Sequence, residues 1–193
     1  MAFIEVTLFL FNKLMENPWR TLNRKLIYSN PWIKLEEHDV ITPAGTPGIY
    51  GKVLFQNKAI AIIPIDNEYY TWLIGQYRYT LDEYSWEIPM GGGPIGTDVL
   101  ESAKRELKEE TGLSAAKWTE IMRIHPSNSV SDEEGFVFIA EELTYGKTAF
   151  EDTEKLEIIR LPLSEAIDKV LNGEITDAIS VAGLLKAARL LGV

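Results

Sequence analysis

The stretch from Asp98 to Gly112, DVLESAKRELKEETG, constrains this chain more than any other. Asp98 stands where an N-cap accepts backbone N–H groups, with Glu101 three residues on as the partner of a capping box. Gly112 stands where a left-handed residue ends a helix. Between them Leu100, Ala103 and Leu107 recur at helical spacing and form a stripe that must be buried. The same helix crowds Glu106, Glu109 and Glu110 into its last turn, where the macrodipole disfavours carboxylates and like charges at i,i+4 repel. At an effective dielectric of 20, two charges about 6 Å apart repel by roughly 3 kcal/mol, and by less than about 1 kcal/mol in water. At about 100° per residue the acids flank the buried stripe, so they point into whatever cleft the helix lines. The plain alternative is a solvated acidic face, relieved by Arg105 pairing with Glu101 and Glu109. The preceding Gly91-Gly92-Gly93 favours a ligand instead, because backbone without side chains approaches one closely. All-oxygen ligands suit Mg²⁺, or Mn²⁺ in its place, bridging carboxylates to phosphates.

Upstream the period is different. Trp32 to Val40, Tyr50 to Phe55, Ala59 to Ile65 and Tyr69 to Tyr77 read as strands, with Asp66-Asn67 as a hairpin turn. Thr42 to Gly48 is a turn-rich break, Ser85 to Pro89 a short strand, and Met90 to Pro94 an irregular loop. Downstream, Trp118 to His125, Phe136 to Glu141 and Leu156 to Leu161 read as strands, the first two bracketing the polar loop Pro126 to Gly135. Ser164 to Leu171 and Thr176 to Leu191 read as helices capped by Ser164 and Thr176. Strands mingled with helices in 193 residues, enough for one good core, predict an α+β fold: a mixed sheet with helices on its faces.

Composition narrows the function. Cysteine is absent, which excludes disulfides, thiolate metal sites and a cysteine nucleophile, and fits a cytoplasmic location. A net charge of −10 repels a polyphosphate backbone, so nucleic acid is not an expected partner; a small anion delivered with a divalent cation is. The apolar run Val6 to Phe11 is far short of the ~20 residues of a membrane span. Neither a basic stretch before it nor a cleavage site after it marks a signal peptide, so no membrane partner is expected and the run reads as an N-terminal strand.

The pattern Gly91-x5-Thr97-x7-Arg105-Glu106-Leu107-x-Glu109-Glu110-x-Gly112-Leu113 resembles the Nudix box, G-x5-E-x7-R-E-U-x-E-E-x-G-U. It departs at one position, where Thr97 stands in place of glutamate. Gln76-Tyr77-Arg78, Trp86-Glu87-Ile88-Pro89, Ser131-Asp132-Glu133 and the late Glu154 are similar to the ADP-ribose and nucleoside-diphosphate-sugar pyrophosphatase branch, a likeness covering roughly residues 28 to 190. The resemblance implies an α/β/α sandwich over residues 56–193. Residues 1–55 would form an N-terminal β extension serving homodimerisation and contacts to the substrate base. It implies Mg²⁺-dependent hydrolysis of a nucleotide sugar such as ADP-ribose or GDP-mannose, giving a nucleoside monophosphate and a sugar phosphate.

By the same resemblance Glu106, Glu110 and the Met90 carbonyl would hold metal, with Glu109 close by and Arg105 orienting the acids. Glu154 or Glu133 would be the general base, with His125 as a further candidate. Arg78 and Glu87 would meet the substrate, and Trp32 or Tyr28 would stack on its base, Trp32 being equally suited to core packing. The branch tends to carry Ser-Pro-Gly after the box; Ser127-Asn128-Ser129 stands there here, which leaves sugars other than ribose open. Thr97 removes a partner that would brace Arg105. Either Asp98 replaces it or Thr97 bonds the loop itself. Alternatives are an enzyme acting on nucleoside triphosphates or RNA 5′ ends, and a sensor that binds a nucleotide sugar without turnover.

Overall fold

The computed structural model describes residues 16–146 and 156–193. The run Val6 to Phe11 and the candidate base Glu154 lie outside the described residues. The chain divides after Leu54 into two compact units.

In the first unit, β1 (Arg20–Ser29), β2 (Ile33–Ile41) and β3 (Pro47–Phe55) form a three-stranded sheet in that order, with β1 antiparallel to β2. Strand β1 carries no strand signal in the sequence. Register shifts at Thr21/Asn23 and Leu26/Tyr28 break its side-chain alternation, and every one of its residues is exposed, so no period-2 pattern was there to see.

The second unit carries two sheets. In one, β4 (Asn57–Pro64) runs antiparallel to β7 (Met90–Pro94) and parallel to β9 (Gly135–Tyr145), which pairs antiparallel with β8 (Leu113–Ile124). In the other, β5 (Tyr70–Arg78) is flanked antiparallel by β10 (Glu157–Pro162) and β6 (Glu83–Glu87). Helices α1 (Val99–Thr111), α2 (Leu163–Leu171) and α3 (Ala178–Leu191) cover the strands. Alternation along β4 sets the layers. Ile60 and Ile62 pack with Phe138, Ala103 and Leu107 on the α1 side, while Ala61 and Ile63 pack with Val137, Leu163, Ala166 and Leu184 on the α2 and α3 side. Helices on both faces of a mixed sheet are the expected α/β/α arrangement.

Several local expectations need correction. Met90 to Pro94 is not a loop: Met90 to Pro94 of β7 pair with Ala61 to Asn57 of β4, so the glycines are a strand held flat against a neighbour. Helix α2 starts at Leu163 behind Pro162 with no side-chain cap, not behind Ser164, because β10 feeds directly into it. Asp177, one residue beyond Thr176, caps α3 and accepts from the Ser180 N–H at 2.7 Å. The Asp66-Asn67 turn forms as read, with the Asp66 carboxylate accepting from the Glu68 and Tyr70 N–H groups.

Candidate functional site

Helix α1 begins and ends where its caps dictate. The Asp98 carboxylate accepts from the N–H groups of Leu100 and Glu101, and Gly112 closes the helix at φ 72° with its N–H on the Lys108 carbonyl. The expected capping box is half made, since Glu101 pairs with Lys104 at 2.7 Å. Ala103 and Leu107 are buried, and this drags the neighbouring face down with them: Glu106 and Glu110 are only 7% and 5% exposed. Buried carboxylates are costly unless charge or hydrogen bonds answer them.

The glycine strand β7 provides part of the answer. The Met90 N–H donates to Glu110 Oε2 at 3.0 Å. Gly91 lies so close to Glu106 that a Cβ there would collide with its carboxylate. Arg105 provides another part. Its Nη1 donates to Glu109 Oε2 at 2.6 Å, and its Nη2 donates to Glu106 Oε1 at 2.5 Å and to the Gly92 carbonyl at 2.8 Å. Burial works against the charge of Arg105, but the Glu106 and Glu109 carboxylates outweigh it and hold the guanidinium above its usual range. The expected Arg105–Glu109 pair forms; an Arg105–Glu101 pair does not. Thr97 bonds the loop itself, its Oγ1 donating to the Pro94 carbonyl at 2.6 Å, and Asp98 is committed to the cap.

Met90 also lines a cavity of about 480 Å³ shared by Arg78, Glu87, Glu133 and Asp177. Glu87, 3% exposed, grips Arg78 with both carboxylate oxygens: Nε donates to Oε1 at 2.8 Å and Nη2 donates to Oε2. That bond holds Arg78 charged and aims it at the cavity. Glu133 is half-buried, and burial together with the Asp177 charge pushes its carboxyl above the usual range. Asp177 was missed from sequence. Its signal was its rank as an N-cap directly before the α3 stripe, where aspartate outranks threonine. The His125 Nδ1–H donates to the Glu133 carbonyl at 3.1 Å, so His125 pins the loop that carries Glu133.

The structure therefore gathers Met90, Arg105, Glu106, Glu109 and Glu110 at one end of α1, and Arg78, Glu87 and Glu133 around the adjoining cavity. Trp32 and Tyr28 belong to the first unit and are 66% and 54% exposed, so Trp32 is not core packing. Among the described residues no three His, Cys, Asp or Glu side chains close into a metal cage by themselves. The donor set at the end of α1 is nonetheless all oxygen and buried. It fits a hard divalent cation whose remaining ligands come from substrate and water, the usual manner of Mg²⁺.

The α/β/α sandwich presses buried carboxylates against a glycine strand beside a charged cavity, a setting suited to an anionic substrate carried with a divalent cation. Comparison with known proteins agrees. Residues 56–180 match the NUDIX domain, and residues 19–53 match the nucleoside diphosphate sugar hydrolase N-terminal domain. An ADP-ribose pyrophosphatase of Mycobacterium tuberculosis is 29% identical, covering 89% of this chain and 84% of its own. An ADP-ribose pyrophosphatase of Bacillus subtilis is 31% identical, covering 82% and 86%. A crystal structure of an ADP compounds hydrolase superposes with a TM-score of 0.80 at 24% identity, over 90% of this chain and 94% of that one, and bears out the expected fold. The chain belongs to the Nudix family and is a Nudix pyrophosphohydrolase. Among the described residues no helix is long and apolar enough to cross a membrane.

Proposed function

We propose that this chain hydrolyses the diphosphate of a nucleoside diphosphate sugar, ADP-ribose, GDP-mannose or a close relative, to a nucleoside monophosphate and a sugar phosphate in the cytoplasm. The observation that carries the reading is the pair of buried carboxylates, Glu106 and Glu110, held against Met90 and Gly91 beside a cavity carrying the oriented cation Arg78. That two bacterial relatives are ADP-ribose pyrophosphatases supports the substrate class.

Glu106, Glu110 and the Met90 backbone would hold Mg²⁺, with Mn²⁺ able to replace it. When bound, such a cation neutralises diphosphate charge and polarises the P–O bond. Arg105 fixes the rotamers of Glu106 and Glu109 and ties them to the glycine strand through the Gly92 carbonyl. Arg78 meets a phosphate oxygen, and Glu87 acts through it as a positioning residue. Glu133, with its raised pKa, accepts a proton from the attacking water, a role for which Glu154 is the rival. The water oxygen bonds to one phosphorus as the bridging P–O bond breaks, and the released phosphate oxygen takes the proton. Trp32 or Tyr28 stacks on the nucleobase, and exposed apolar residues of β1 join two copies into a homodimer.

The test is incubation of the pure protein with Mg²⁺ and a panel of nucleotide sugars, with products separated by chromatography. A nucleoside monophosphate and a sugar phosphate in equal amounts are expected from at least one. No product from any diphosphate, or pyrophosphate released from triphosphates alone, would overturn the assignment.

A further inference from the structure

We propose that the cavity beside the α1 acids selects an uncharged sugar over an anionic one, and that Asp177 sets this selection. The selection rests on the hydrolase reading above and narrows its substrate class. With the diphosphate at the α1 acids and the base on Trp32 or Tyr28, the sugar is the part left for the cavity. Four ionisable side chains line that cavity, Arg78, Glu87, Glu133 and Asp177, so one guanidinium faces three carboxylates.

The single cation has no surplus charge to offer. Arg78 gives Nε and Nη2 to the two oxygens of Glu87. That bond does most to hold Arg78 charged, with the Asp177 and Glu110 charges behind it, so one cation already answers several anions. Among the described residues neither Glu133 nor Asp177 forms a salt bridge. Asp177 is also fixed in place. Its Oδ2 accepts from the Ser180 N–H at 2.7 Å, and the fully buried Ser180 accepts in turn from the Ile88 N–H at 3.1 Å, between β6 and β7. Burial and then the Asp177 charge raise the Glu133 carboxyl above its ordinary range, as expected of two carboxylates with no cation between them. With Glu133 protonated, Glu87 and Asp177 still outnumber Arg78.

A carboxylate or phosphate on the sugar would enter this space as a further like charge, where partial desolvation makes repulsion stronger than in water. The dication proposed for Glu106 and Glu110 offsets the diphosphate and leaves the cavity's own excess standing. A neutral sugar meets the reverse: carboxylates that accept from its hydroxyls, the Thr80 and Thr176 hydroxyls, and apolar surface from Leu81 and Ile179 for its C–H faces.

Rates with Mg²⁺ on substrate pairs that share a base test this. The pairs are ADP-ribose and ADP-ribose phosphorylated on its terminal ribose, GDP-mannose and GDP-mannuronate, and UDP-glucose and UDP-glucuronate. The proteins are wild type, Asp177→Asn and Glu174→Gln. Asparagine still caps Ser180 and removes only the charge. Wild type is expected to favour the neutral member by about tenfold or more in kcat/KM, and Asp177→Asn to cut that ratio by about threefold or more. Glu174→Gln removes an equal charge from a residue that pairs with Lys169 and does not line the cavity, and should leave the ratio at the wild-type value. A ratio that Asp177→Asn leaves unchanged overturns the proposal. So does a ratio that Glu174→Gln relaxes equally, which would make the overall −10 charge the discriminator. If Asp177→Asn is unfolded by circular dichroism, Asp177→Ser, another uncharged cap, takes its place with the same expected ratio. Equal kcat/KM for both members in wild type defeats this inference alone; no product from any of the substrates defeats the hydrolase reading with it.

Discussion

Glu110 and Glu106 are placed by two independent constraints: burial of the α1 stripe beside them and the bare backbone of β7 in front of them. Glu110→Gln keeps the shape and still accepts the Met90 N–H, so the fold should persist. Turnover should drop on the order of 100-fold or more, as when a preorganised charge is removed from a phosphoryl-transfer site. Steady-state rates beside a thermal melt check this, and a near-wild-type rate removes Glu110 from the site. Gly91→Ala should behave likewise, since its methyl group would meet the Glu106 carboxylate; a variant with wild-type rates would show that Glu106 need not sit where it does. The acids, Arg105 and the glycines were legible in sequence because their spacing encodes the chemistry directly. Asp177 was not, because its place in the cavity depends on how α3 packs, which no local pattern records. The Glu87–Arg78 grip was equally hidden, as it joins residues brought opposite by the β5–β6 pairing.

Helix α1 was read correctly at both ends because caps are local chemistry, decided within four residues. Strand β7 was misread because three glycines carry no side-chain period, and only pairing with β4 keeps them extended. Gly112 holds the acid-bearing end of α1 at positive φ, so Gly112→Ala should cost about 1–2 kcal/mol in urea unfolding; no loss would mean the helix end relaxes freely. The β5 and β10 strands are tied by Arg160. Its guanidinium bonds Asp66 Oδ2 through both Nε, at 3.0 Å, and Nη2, and lies 3.8 Å from the Tyr70 ring centroid. Burial opposes the Asp66 charge, but the Tyr70 N–H, Arg160 and the Glu68 N–H outweigh it and depress its pKa. A depressed folded pKa contributes stability that is present above about pH 4 and lost as pH falls through the folded value. Asp66→Asn should therefore destabilise by about 1–3 kcal/mol at neutral pH and by less once pH has fallen through that depressed folded value. Equal losses on both sides of that value would contradict the linkage.

The whole molecule adds what neither residue nor strand supplies. Leu22, Leu26, Ile27 and Tyr28 of β1 are all exposed, an apolar surface that a second copy would cover in the proposed dimer. Sedimentation velocity should give about twice the 21.8 kDa chain mass for wild type, and Leu26→Lys should shift it toward the monomer; a monomeric wild type would end that part of the account. The −10 charge, unhelpful for nucleic acid, would be tolerable in an enzyme whose anionic substrate arrives with a divalent cation, as proposed here. The chemistry proposed for the site depends on that cation. Its most direct measurement is release of nucleoside monophosphate from ADP-ribose in chelator, then during a Mg²⁺ titration, for wild type and Glu110→Gln side by side. No release is expected in chelator, saturable onset with Mg²⁺ in wild type, and almost none in Glu110→Gln. Full turnover in chelator, or identical Mg²⁺ curves for the two proteins, would contradict that dependence.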